Sequence, residues 1–140
     1  MKKQFFKCQE DLEIAYIDEG KATETLVFVH GFASQLEVWE KNIEFLSKYY
    51  RCIALDLPGH GDSSKGIFPY SQRFYIDVLK KWLQYMQIDK STEAHLIGHS
   101  MGGQLAVRTT LETKKLWKNL ILVAPAGFEQ FTEAEKILLT

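Results

Sequence analysis

The chain has 140 residues, 46% apolar and 25% charged, which is enough apolar material for one globular core and excludes disordered and fibrous classes. A formal net charge of -1 with both signs scattered leaves no basic stripe for nucleic acid and no polybasic patch for an anionic membrane, so a small-molecule partner is expected. No run reaches the roughly 20 apolar residues of a membrane span, and Lys7, Glu10 and Asp11 break the apolar start before it reaches secretion-signal length, so a cytoplasmic location is expected.

Taken in order, the predicted elements begin with two mixed strands, Gln4 to Cys8 and Leu12 to Asp18, which suit an antiparallel pair at a sheet edge. Cys8 and Cys52 read as small strand residues and not as a disulfide framework, a catalyst or metal ligands. The run Thr25 to Val29 is continuously apolar, which marks a central parallel strand buried on both faces. A helix is predicted from Ser34 to Tyr50, where Trp39, Ile43, Leu46 and Tyr50 form one apolar stripe. Arg51 to Asp56 is a fourth strand, stopped by the Pro and Gly residues of Leu57 to Gly61. A second amphipathic helix follows from about Ser71 to Met86, with Tyr75, Leu79, Trp82 and Met86 on its stripe. The remaining elements are a strand from Ala94 to Gly98, a helix from Met101 to about Thr113 and a strand from Leu120 to Ala124. Thr132 and Glu135 then fit a capping box that opens another helix. Strands and helices alternate after the first pair, so the expected class is α/β with a doubly wound, mostly parallel sheet.

Three motifs carry chemistry. In Gly98-His99-Ser100-Met101-Gly102, a G-x-S-x-G string leaves an apolar strand and opens directly into a helix. Such a turn holds its serine in a strained conformation, and side chains two positions away on either side would collide; Gly98 and Gly102 remove them. The bland alternative is an ordinary N-cap serine at a glycine-rich helix start. His30-Gly31-Phe32 lies between the central strand and the first helix, where the Phe32 N–H joins that of Met101 as an expected oxyanion hole. Gly31 lets that backbone pass close to substrate, and His30 reads as a structural histidine whose ring binds backbone. The third motif runs from Asp56 to Ser63, where Pro58, Gly59 and Gly61 break any regular element. His99 reads as packing or pocket lining, and His95 as a buried, hydrogen-bonded strand residue.

Together these motifs, in this order, resemble the N-terminal half of the α/β-hydrolase fold family, in its serine-nucleophile, esterase-like branch. The resemblance covers the chain to Ala124, giving residues 1–127 as the N-terminal part of the core and 128–140 as the start of a cap or lid. It implies an α/β-hydrolase of carboxylesterase type that cleaves a small acyl substrate through an acyl-enzyme on Ser100, without metal or cofactor. Alternatives are a carbon–carbon bond hydrolase or thioesterase of the same fold, or a non-catalytic binding or receptor protein.

The triad order in this fold is Ser, then Asp or Glu, then His. Here His30, His60, His95 and His99 all precede Ser100, and the later carboxylates are Glu112, Glu129, Glu133 and Glu135, none placed after a strand as the order requires. The expectation is a fold truncated after its sixth strand, nearly inactive alone and prone to self-association through the open sheet edge.

Overall fold

The computed structural model describes residues 1–127; the predicted cap segment and the Thr132 capping box lie outside the described residues. The strands are β1 Gln4–Gln9, β2 Leu12–Glu19, β3 Thr25–Val29, β4 Arg51–Leu55, β5 Ala94–His99 and β6 Trp117–Val123. The helices are α1 Glu40–Leu46, α2 Gln72–Tyr85 and α3 Met101–Glu112. One six-stranded sheet results, in the order β1-β2-β4-β3-β5-β6. The first two strands form the expected antiparallel pair, β2 runs antiparallel to β4, and β3, β4, β5 and β6 are parallel. This is the doubly wound α/β architecture expected from the sequence.

Alternation along the central strands builds two cores. Val27 and Val29 face α2 and α3, while Leu26 and Phe28 face Leu36, Trp39 and Ile43 on the other side. The α2 stripe lies in the first core: Tyr75, Leu79, Trp82 and Met86 are all buried. Ser71 caps that helix by accepting from the Phe74 N–H at 3.1 Å. Trp82 is fully buried, so Trp82→Ala is expected to cost about 3–5 kcal/mol in chemical denaturation. A loss below about 1 kcal/mol would contradict this account of the core.

Two elements differ from their predicted bounds. The helix expected from Ser34 to Tyr50 is a 3-10 turn, Leu36–Trp39, followed by the short α1. Its stripe still packs inward, so periodicity reported the buried face and not the helix length. The last strand starts at Trp117 and ends at Val123, because Ala124 turns into the left-handed region at φ 42°. Its polar start, Lys118 and Asn119, hid it: β6 ends the described sheet and buries little of the face that carries Ile121 and Val123.

Parallel register aligns the carboxyl ends of the central strands. Val29 pairs with Leu55 on one side and with Gly98 on the other. The three motifs therefore leave the sheet at one edge, where ligands bind in open α/β folds.

Candidate active site

Ser100 joins β5 to α3 with φ 55° and ψ -120°, a conformation costly for a residue with a side chain. Its hydroxyl makes no capping bond to α3, unlike an N-cap serine. The backbone is pinned instead. The Ser100 N–H donates to the Val123 carbonyl at 3.1 Å, and the Ser100 carbonyl accepts from Gly103 at 2.9 Å, Gln104 at 3.2 Å and Ala126 at 2.9 Å. A Cβ on Gly98 would strike the Gly102 carbonyl and come within 2.7 Å of Gly103 Cα. One on Gly102 would strike the Val29 and His30 carbonyls. Both glycines are thus required by close backbone approach.

The segment 30–36 lies against this elbow. A Cβ on Gly31 would sit 3.0 Å from Ser100 Cβ and 3.2 Å from the His99 carbonyl, so a bare backbone faces the serine there. Among the described residues neither the Phe32 nor the Met101 N–H is taken by a protein acceptor. The Phe32 side chain is 74% exposed. A cavity of about 550 Å³ adjoins these residues, lined by Phe32, His60, Lys65, Tyr70, Tyr75 and Met101 among others. A larger one, about 920 Å³, lies across the far end of α2 and carries none of the motif residues.

Each histidine has a place. His30 is fully buried; its Nδ1 donates to the Gly31 carbonyl at 2.7 Å and its Nε2 accepts from the Leu57 N–H at 3.0 Å. Burial pushes its pKa down to about 4, against the opposing pull of the Gly31 bond. A folded pKa below the unfolded value of roughly 6.5 means the unfolded chain takes up a proton first. Stability from this group is therefore complete above roughly pH 6.5 and falls by about 3 kcal/mol as pH drops toward 4. A pH series of denaturation midpoints should show that fall, and His30→Asn should flatten it; an identical profile in the variant would refute the assignment.

His60 precedes Ser100, against the triad order, and its work is structural. Its Nε2 accepts from the Ala33 N–H at 3.1 Å while Nδ1 donates to the Pro58 carbonyl at 3.0 Å. His95 bridges Glu24 at 2.7 Å and Asn119 at 3.0 Å across the sheet. His99 meets Trp39 edge-on at 6.4 Å between ring centroids, and its Nδ1 is buried without a partner among the described residues. Among the described residues no histidine bonds the Ser100 hydroxyl, and Glu112 is held on the surface by Arg73 and Lys80. Among the described residues no three His, Cys, Asp or Glu side chains converge as a metal site would require, and no helix is long and apolar enough to cross a membrane.

The Asp56 to Ser63 loop braces the edge. Ser63 Oγ donates to the Asp56 carbonyl at 2.6 Å and accepts from the Ala15 N–H at 2.9 Å, which sews the loop to β2. No motif marks Lys3, whose ammonium joins this loop from just before β1.

A six-stranded sheet with its strained serine at the carboxyl edge defines a class, and comparison with known proteins agrees. The family described as alpha/beta hydrolase fold matches residues 24–139. The chain belongs to that family. It is 36% identical over 111 residues to the uncharacterized hydrolase YugF of Bacillus subtilis, covering 79% of this chain and 40% of that protein. It is 32% identical over 119 residues to the dihydrolipoyllysine-residue acetyltransferase component of the acetoin cleaving system of Cupriavidus necator, covering 85% of this chain and 31% of that protein. Among solved structures, a membrane phospholipase A superposes with a TM-score of 0.84 at 28% identity, covering 94% of this chain and 42% of that one. The chain thus spans less than half the length of these relatives.

Proposed function

We propose that Ser100 is the nucleophile of a serine hydrolase acting on a carboxylic ester of small to medium size. The observation that carries this reading is the Ser100 backbone at φ 55°, with a hydroxyl that does not cap the helix it precedes. A protein that only bound ligands would gain nothing from holding a serine in that strained position. Ser100 Oγ attacks the substrate carbonyl and forms the acyl–oxygen bond. The resulting oxyanion accepts from the Phe32 and Met101 N–H groups. The carbonyl re-forms as the alcohol leaves with a proton, and water then cleaves the acyl-enzyme. On this reading the proton passes through a histidine outside this sequence, since all four histidines present precede Ser100 and three have both ring nitrogens engaged. The aromatic lining of the 550 Å³ cavity suits an apolar acyl or alcohol group.

The test is covalent. A fluorophosphonate probe added to the full-length protein should attach to Ser100, located by peptide mass, and Ser100→Ala should lose the label. Labelling at another residue, or none at all, would overturn the proposal.

A further inference from the structure

One charge cluster lies outside the elbow, in a place where a solvated pair would be of little consequence but a buried one matters. Lys3, just before β1, has a side chain only 14% exposed. Its ammonium meets three carboxylates: Glu37 at 2.6 Å, Asp56 at 2.7 Å and Asp62 at 2.8 Å. Glu37 and Asp62 are 38% and 64% exposed, whereas the Asp56 side chain has no exposure. The pair that counts is therefore Lys3 with Asp56. Burial works against the lysine's charge, but the hydrogen bonds to Asp56, Asp62 and Glu37 outweigh it and hold the ammonium well above its ordinary range.

Asp56 in turn holds the oxyanion segment. Its Oδ1 accepts from the Leu36 N–H at 2.8 Å and its Oδ2 from the Asp62 N–H at 2.9 Å. Residues 30–36 are strapped to residues 56–63 at three points: His30 to Leu57, Ala33 to His60, and Leu36 to Asp56. The strap is under load, because Ala33 sits in the left-handed region at φ 56°. A residue with a side chain stays there only while its surroundings hold it. Phe32, between the first two straps, has the free N–H.

Without Lys3, the fully buried Asp56 carboxylate would lose the cation at 2.7 Å, and an uncompensated buried charge is costly enough to shift the segments that enclose it. The bonds it accepts from the Leu36 and Asp62 N–H groups would then no longer hold the end of the segment in place.

We propose that Lys3 is a positioning residue for acyl transfer: through its ion pair with Asp56 it fixes the segment 30–36 in the path that aims the Phe32 N–H at the substrate oxyanion. The proposal rests on Ser100 being the nucleophile. Lys3 touches no reacting atom, so its effect belongs on the chemical step and not on substrate binding.

Lys3→Met, Lys3→Arg, Asp56→Asn and the double variant Lys3→Met with Asp56→Asn are made in the full-length protein. Initial rates on p-nitrophenyl butyrate are divided by the endpoint of exhaustive fluorophosphonate labelling, so that only folded molecules count. Lys3→Met should lower kcat about 10- to 100-fold, with KM within about twofold, since a displaced oxyanion donor costs that much. Lys3→Arg should restore the rate to within about threefold, because charge and reach are retained. In the Asp56→Asn background, Lys3→Met should add less than about a twofold loss. An unchanged kcat per labelled site in Lys3→Met, a defect that Arg fails to rescue, or full additivity with Asp56→Asn would each overturn the proposal. If hydrolysis survives Ser100→Ala, the nucleophile reading fails and this inference falls with it. Complete dependence on Ser100 together with a silent Lys3→Met overturns this inference alone.

Discussion

Ser100→Ala in the full-length protein is expected to lower kcat for ester hydrolysis by about 10⁵-fold or more, the scale on which serine hydrolases lose rate without their nucleophile. The fold should be untouched. Alanine at position 100 keeps the same positive φ penalty, and the four backbone bonds that pin this residue involve no side-chain atom. Ser100→Gly should be equally inactive but more stable than Ser100→Ala by roughly 0.5–1 kcal/mol, because glycine relieves the left-handed strain and returns part of that gain as unfolded-state entropy. Rate assays and denaturant midpoints on the two variants check both statements. Comparable stability of the Gly and Ala forms would mean that the φ of 55° stores no strain.

The second large effect belongs to a residue with no chemistry. Gly98→Ala is expected to cost about 3 kcal/mol and to slow Ser100 labelling at least tenfold in the molecules that remain folded. The added methyl would meet the Gly102 carbonyl and lie 2.7 Å from Gly103 Cα. The usual escape, a small shift of the strand, is closed. Gly98 is paired with Val29 of β3 on one side and Leu122 of β6 on the other, so β5 cannot move without disturbing both ladders. The strain has to be relieved by lifting α3 off the strand, which carries the Met101 N–H away from Ser100. Denaturation midpoints and labelling rates measured together check this; a Gly98→Ala protein with normal stability and normal labelling would contradict the elbow geometry.

Much of this arrangement is written locally and could be read in sequence. The α2 stripe depends only on spacing along one helix, and the continuous apolar run of β3 depends only on burial of both faces. The elbow announces itself because its strain has to be met within five residues, and Gly98 and Gly102 are the only residue type that fits. The boundary errors have local causes too. The stripe from Trp39 to Tyr50 reports a buried face whether the chain is α-helical, 3-10 or turn, so it could not show that α1 is only Glu40–Leu46. The polar residues at the start of β6 gave no strand signal because that end of the sheet buries so little of them.

What tertiary structure alone decided is which distant residues meet. His60 and Ala33 are 27 positions apart, and nothing near either one marks the bond between them. Lys3 stands 53 positions from Asp56, and in sequence it is one of two adjacent lysines with no motif around them. Its role exists only because the sheet order places β2 beside β4, bringing the beginning of the chain against the loop that follows β4. Sequence by itself determined the family, the glycine-flanked elbow at Ser100 and the periodic faces, since these rest on short-range sterics and burial. The packing of the strands determined how the segment 30–36 is held, since an ion pair is fixed by proximity in space and leaves no periodic trace along the chain.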